Sequence, residues 1–563
     1  MKKIILLVAT LSLSIVGAYS QGILGGKVTG NFQVDVQASK EDSSIGANKV
    51  KEKLLNNAFA NILYTNGDFT AGFRYEAYLN PILGFDAQYK GAGIPYRFAS
   101  YKKDFLEVTV GNYYEQFGSG LIFRSYEERN LGLDNAMDGV KIVAKPYSGI
   151  VLKGVVGKQR YYWEDIWQND NGLVRGMDAD INLNDVGLLS SYSNIRLSIG
   201  GSFVSVYQEA ENRYITNNGV FYKMNIPENI GAGAARMNFA YKDFSLSGEY
   251  AMKGQDPNAT NGYIYRKGQA LLLTAGYSIA GLGVQVQAKR IDNMSFKSKR
   301  TETGNMLNVN YLPAITRQHS YSLMSMYSYA TQINGEMGLQ ADIMYKIPKH
   351  TFLGGKYGTD VKLNYSRINA IDKTAIDGYK LNQEGTKGYN SNFFKVGDEE
   401  YWEEINLEVN KKFSKDYKMN FMYSYQTFNP IAFGHEGNPF IYAHIFVVDG
   451  TYKLSTHNSL RGEVEWLLTK QDYDEFAKGN WLQGTLEYNL LGRWFFAASD
   501  QWNYGTEQGD KIHYYNLSVG CTYNTTRVSI SYGKQRQGIL CIGGVCREVP
   551  ASNGLFATIT SSF

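Results

Sequence analysis

The side chains able to do chemistry are few and scattered. Six histidines, His319, His350, His435, His444, His457 and His513, occur without an H-E-x-x-H pair or a Cys/His metal-ligand spacing, and no nucleophile elbow accompanies them. Glu399-Glu400 and Glu403-Glu404 offer paired carboxylates for general acid/base work. On an extended strand, however, neighbouring residues point to opposite faces, so these pairs read as the solvated start of a strand. His435 and Glu436 bring two ligands to a Gly-rich loop, too few for a calcium site. The expectation is a chain that is not an enzyme, with no catalytic residue, no metal and no cofactor.

The cysteines are more informative. Cys541 and Cys546 bracket Ile542-Gly543-Gly544-Val545, and a two-residue Gly-Gly turn would set the two thiols opposite each other on a small hairpin, within disulfide reach. A metal site there would lack a His pair. The spacing predicts a disulfide at the tip of the last outer loop, with Cys521 left as a lipid-facing small hydrophobe. A second cluster, Arg124, Glu127, Glu128 and Arg129, lies within residues 117–138. There Gly118-Ser119-Gly120 lets the backbone bend sharply, and both charge signs would set a transverse field if this loop folded into a pore. A formal net charge of +4 over 563 residues excludes the strongly basic stripe of a nucleic-acid binder.

A constriction loop has meaning only inside a tube, and the alternation of the chain supplies one. Phe32, Val34, Val36 and Ala38 interleave with Asn31, Gln33, Asp35 and Gln37. Phe69, Ala71, Phe73, Tyr75 and Ala77 interleave with Thr70, Gly72, Arg74 and Glu76. The pattern recurs at residues 244–253, 417–426 and 515–523, in stretches of about 9 to 12 residues, the length of a tilted strand crossing an outer membrane. A soluble sandwich uses strands of about half that length and buries its apolar face against another sheet. Tight-turn signals at Asn66-Gly67, Lys103-Asp104, residues 146–149, Lys242-Asp243, Ala280-Gly281, Lys415-Asp416, residues 456–458, Gly492-Arg493 and residues 524–527 stand mostly about 33 to 50 residues apart, two strands and one longer loop. The fold class predicted is all-β: a large antiparallel transmembrane β-barrel of about 26 strands, with a range of 22–26, short periplasmic turns and long extracellular loops. The count is soft between residues 292 and 356, where segments 305–311, 318–329, 335–346 and 358–368 can be grouped in more than one way.

The first residues set the address. Lys2 and Lys3 precede an apolar run at residues 4–16, and Ala18-Tyr19-Ser20 stands before Gln21, so residues 1–20 read as a removed signal peptide and residues 21–563 as a single barrel domain. The predicted location is the outer membrane of a Gram-negative bacterium. At the other end Leu555, Ala557, Ile559, Ser561 and Phe563 share one face. This resembles the C-terminal assembly signal of outer-membrane proteins, which implies recognition by the barrel-assembly machinery. Residues 533–538 with Cys541 through Arg547, together with residues 111–121 (Gly-Asn-Tyr-Tyr-Glu-Gln-Phe-Gly-Ser-Gly-Leu), resemble a family of uncharacterised outer-membrane proteins of Bacteroidota. That resemblance implies location and barrel form, and brings no substrate.

A barrel of this size has a wide lumen that must be narrowed. About ten mature residues precede Asn31, no room for a plug domain, so the narrowing is expected from loops or a partner. The first functional expectation is a porin-like channel for small polar solutes, narrowed by inward-folded loops, with residues 117–138 as the leading candidate. The second is a non-enzymatic barrel subunit or scaffold of an outer-membrane complex, its lumen sealed by loops or a partner lipoprotein. Residues 369–400, with Tyr389, Phe393 and Phe394, are the candidate partner-binding insertion. The remaining expected partner is outer-membrane lipid, with no nucleic acid.

Overall fold

The computed structural model describes residues 25–217, 220–430, 440–470, 479–507 and 509–563. The signal-peptide reading of residues 1–20, and His435 with Glu436, lie outside the described residues. Twenty-four antiparallel strands form one sheet that closes on itself, the first strand (Lys27–Lys40) pairing with both the second (Leu55–Asn66) and the last (Ser552–Ser562). In the closing register Asp35 stands opposite Thr558, and Gly30 and Phe563 exchange backbone hydrogen bonds of 2.9 and 3.0 Å. The terminal aromatic therefore completes the seam, with its ring lying directly over Gly30.

Alternation is what aims these side chains. In the strand Phe69–Asn80, Phe73 and Tyr75 are 42% and 46% exposed while Arg74 and Glu76 between them are 3% and 2% exposed. Apolar residues outside and ionised residues buried invert the order of a soluble protein, and lipid around the barrel resolves the inversion. At one end the connections are tight: residues 67–68, 104–105, 148–149, 242–243, 280–281 and 524–525 each join two strands. Asp104, Lys242 and Asn524 adopt φ near 50° there, as two-residue hairpins that follow strand twist require. Connections 183–194 and 348–358 are the longer ones at that end.

The strand number falls within the expected range and two below the count of 26. The physical reason lies between the strands Leu282–Asp292 and Gly335–Ile347: segments 305–311 and 318–329 pair with no wall strand, because the whole connection 293–334 runs inside the lumen.

Candidate functional site: the filled lumen

Three connections from the long-loop end turn back into the barrel: 114–136, 293–334 and 536–551. What draws them in is visible in the wall. In the strand Ile441–Lys453 the inward residues Ile441, Ala443, Ile445 and Val447 are buried, while Tyr442, Phe446 and Val448 on the outer face are exposed. Val155, Val174, Val204, Val206, Ile230, Ala251 and Ile291 give a second sector of wall the same two-sided apolar character. An apolar lumen wall facing water would be costly, and the connections cover it. Phe117, Leu121, Ile122 and Phe123 from one, with Met294, Phe296, Val309 and Leu312 from another, pack on that second sector; Ile315, Leu323, Met324, Tyr327 and Tyr329 pack on the first. At about 1.5–3 kcal/mol for each large side chain, the first eight alone stabilise the filled state by roughly 12–24 kcal/mol as an upper bound. Such a filling is a folded core, not a loosely swinging lid.

Polar contacts fix its register. The buried Glu465 carboxylate accepts from the Ser322 and Leu323 amides at 3.0 and 2.8 Å, Tyr321 Oη donates to Asp449 at 3.1 Å, and Arg317 bonds Asn406 at 2.6 Å and pairs with Glu408. His319 Nε2 lies 2.6 Å from Glu404, which also accepts from Ser424 Oγ at 2.7 Å. Glu404 is fully buried, which corrects the reading of Glu403-Glu404 as solvated strand ends. Glu403 projects from the other face, toward Tyr365 and Arg367. The two carboxylates are apart, as the period of a strand dictates, but the inner one meets an inserted loop rather than water.

Residues 117–138 include the inward bend. Gly118 and Gly120 have φ of 52° and 96°, and a Cβ on Gly118 would stand 2.5 Å from Glu249 Oε2, whose carboxylate accepts from Ser119 N and Oγ at 2.7 Å each. The four charged residues singled out beyond the bend are each engaged. Arg124 is sandwiched between the Tyr126 and Tyr311 rings, 4.2 and 4.0 Å from their centroids. Glu127 accepts from Arg74 at 2.9 Å and from Arg129 at 2.6 Å, and Arg129 lies 3.6 Å over the Phe59 ring. Glu128 caps a short turn by accepting from Asn130 N at 3.2 Å. Spacing along the chain did not point to Arg160 or Asp134. They complete the cluster, Asp134 meeting Arg74 and Arg160 at 2.5 and 2.6 Å while Arg160 forks onto Glu76. Burial disfavours the Asp134 anion, but Arg160 and Arg74 outweigh it and hold the carboxyl below the usual range. Burial likewise pushes the Tyr114 phenol, which donates to Asp134 at 2.9 Å, well above its ordinary value.

Cys541 and Cys546 are bonded, with Cα atoms 4.1 Å apart, and Gly543 and Gly544 turn the hairpin with φ of 59° and 88°. Cys521 is the free cysteine. The hairpin leans onto the filling: Tyr311 Oη and Ala314 N donate to Gly543 O, Thr331 N to Gly544 O, and Asn305 Nδ2 to Cys546 O at 2.7 Å. The insertion at 369–400 folds instead over the outer face of the wall, against Tyr250, Arg290 and Asp292, which alternate with the lumen-facing Ala251 and Ile291. Tyr389 is buried, donating to Asp292 at 2.7 Å beneath Arg266, and Phe393 lies against Tyr250, whereas Phe394 is 83% exposed.

Against the opposite wall the lumen is not filled. A chamber of about 950 Å³ remains between the first three strands, the last five, and the inserted hairpin. Its wall presents amides and hydroxyls, Gln33, Gln37, Gln483, Gln501, Asn516 and Thr558 among them, with the Glu127–Arg129 pair on its inner edge.

The chain belongs to a family of unknown function, DUF6029, whose profile matches residues 1–563. No curated protein matches it. Among solved structures it is similar to the siderophore receptor PirA from Pseudomonas aeruginosa (10% identity, 95% of this chain and 80% of that one, TM-score 0.39). The outer membrane transporter YddB from Escherichia coli aligns at 9% identity over 95% and 80% of the two chains with a TM-score of 0.36. OccAB4 of Acinetobacter baumannii aligns at 10% over 96% and 98% with a TM-score of 0.32. These likenesses carry no functional argument, and the reading of function rests on the lumen itself.

Proposed function

We propose that this DUF6029 protein is an outer-membrane channel for small polar solutes, narrowed by its own inserted connections, with the solute path along the polar wall of the chamber. The observation that carries the reading is the division of the lumen: apolar wall is covered by folded chain, and polar wall borders an open space of about 950 Å³. A solute following that wall meets amide and hydroxyl groups in succession, which exchange hydrogen bonds with water and solute alike. The apolar outer face of the barrel supports a place in lipid, and the leader and assembly signal expected from the sequence support the outer membrane as that place. Planar-bilayer recording and liposome swelling with the purified full chain test the reading. Small, discrete conductance steps and uptake of small sugars or amino acids are expected. A folded barrel that passes neither ions nor solutes overturns it.

A second reading, a scaffold subunit of an outer-membrane complex, is favoured by one feature. The outer hairpin of Tyr214–Asn217 and Val220–Lys223 carries Val220, Phe221 and Tyr222 at 52%, 76% and 52% exposure among the described residues. Extraction in mild detergent would then bring down a stoichiometric partner, and replacing Phe221 and Tyr222 by Ser would release it.

A further inference from the structure

We infer that the chamber holds a binding site for the anionic group, carboxylate or phosphate, of a small polar solute, built from Arg536 at the foot of the disulfide hairpin and Arg547 on its returning strand. The assignment deepens the channel reading and rests on its placing of the solute path.

The charges lining the chamber sort into two kinds. Most are neutralised within the protein: Arg160 by Glu76 and Asp134, Arg129 by Glu127, and Lys534 by Asp42 at 2.8 Å. Arg536 and Arg547 line the same chamber and take part in no ion pair among the described residues. Among the described residues Arg536 has one hydrogen bond, from Nη1 to the Gln537 carbonyl at 3.3 Å. Arg547 donates from Nη1 to Gly84 O at 2.5 Å and its guanidinium lies 4.7 Å over the Phe85 ring, while its Nε is buried with no acceptor. Both residues are half-buried, and a partly desolvated guanidinium without a carboxylate is costly unless something else supplies the acceptor. Burial without a partner anion pulls both guanidinium groups below their ordinary pKa range.

The geometry of Arg547 also says what kind of acceptor fits. Phe85 holds the guanidinium plane, and the carbonyl of Gly84 occupies one Nη1 proton. Nε is sealed from the chamber, so the guanidinium meets a solute through its remaining Nη protons, charge-assisted donors that suit a carboxylate or phosphate. The hairpin supplies rigidity: Arg547 follows Cys546 directly, and the Tyr311, Ala314 and Thr331 contacts fix the turn beyond it. Among the described residues Asp35 is the one chamber carboxylate without a cation, accepting instead from Gln33 and Thr558 at 2.7 and 2.8 Å. It faces the same space from the wall, so an anion bound at the arginines is oriented away from Asp35, with its uncharged end toward the amides.

Two measurements on the purified full chain test this. In detergent, isothermal titration with inorganic phosphate and with succinate reads binding; in planar bilayers, the reversal potential in a KCl gradient reads charge selectivity. Expected are saturable binding of at least one of the two anions and a preference for chloride over potassium. Arg536→Gln with Arg547→Gln should weaken binding tenfold or more and abolish the preference, the double Lys variant should restore selectivity but only part of the affinity, and Asp35→Asn should tighten binding several-fold. Thermal melts and heat-modifiable gel migration show whether each variant is folded. Binding of neither anion, or binding that a folded double Gln variant leaves unchanged, overturns the site. Binding with no conductance would retire the channel reading and keep the site, whereas conductance without anion binding or preference would do the reverse.

Discussion

The two sides of the lumen obey different rules. Along strands such as Ile441–Lys453 and Ile195–Tyr207 the inward face carries Ile445, Val447, Val204 and Val206, and folded chain lies against it. Along Lys27–Lys40 and Trp494–Trp502 the inward face carries Gln33, Asp35, Ser499 and Gln501, and a chamber lies against it. The difference teaches that the wall chooses its own contents. An apolar inner face recruits a core at roughly 25 cal/mol for each Å² covered, and a polar inner face gains nothing by being covered and stays wet.

The hardest test of that contrast is to remove the filling. Replacing residues 300–330 by a short Gly/Ser linker should raise single-channel conductance on the order of tenfold, because the filled side is then as open as the chamber side; unchanged conductance from a folded barrel would mean that the filling is not what limits flow. Next in size is Asp134→Ala, which leaves Arg74 and Arg160 short of a buried counter-charge and should loosen connection 114–136 by about 3 kcal/mol, read by hydrogen exchange. Because the Asp134 carboxyl is held low, its contribution is complete above the unfolded value near pH 4 and is lost as pH falls through the folded value.

Lys297 probes the filled side from the alkaline direction. It is 2% exposed, donates to Gly304 O and Met306 O, and burial lowers its pKa to about 8. The folded state therefore binds the proton less well than the opened state. The penalty is present in full below pH 8 and relieved as pH rises toward the unfolded value, so protection of the 293–334 amides should grow between about pH 8 and 10.5, by up to roughly 3 kcal/mol. Lys297→Met should flatten that slope; a slope that persists would assign it to another group. Replacing Cys541 and Cys546 by Ser opens a short loop and should cost about 2 kcal/mol of hairpin stability, seen as faster exchange at residues 538–549. Smallest of all, Gln501→Ala on the wet wall should shift the melting transition by less than about 0.5 kcal/mol while still altering conductance.

Much of this was legible in the residues. Strand length, alternation, tight turns at one end and a closing aromatic follow from period and composition, because a strand in lipid must present apolar side chains every second residue. The Cys541–Cys546 hairpin is local, and its turn residues specify it. Two things were harder to read. Segments 305–311 and 318–329 alternate as wall strands do, and only the absence of a neighbouring partner strand moves them into the lumen. The strand at 441–448 carried a signal that was available, apolar residues on both faces, which says that something packs inside.

The pairing of charges was not legible at all. Arg74, Glu76, Asp134 and Arg160 are up to 86 residues apart in sequence and meet within 3 Å only because the wall strand Phe69–Asn80 and two connections, 114–136 and 160–172, converge. The same convergence engages Arg124, Glu127 and Arg129 and, among the described residues, leaves Arg536 and Arg547 without an internal anion. By itself the sequence determined a lipid-embedded closed barrel with tight turns at one end, since those depend on near-neighbour period and sterics. Which loops fill the lumen, which charges are spent inside the protein and which face the chamber was decided by tertiary structure, because buried electrostatics depends on distances between residues that the chain order does not bring together.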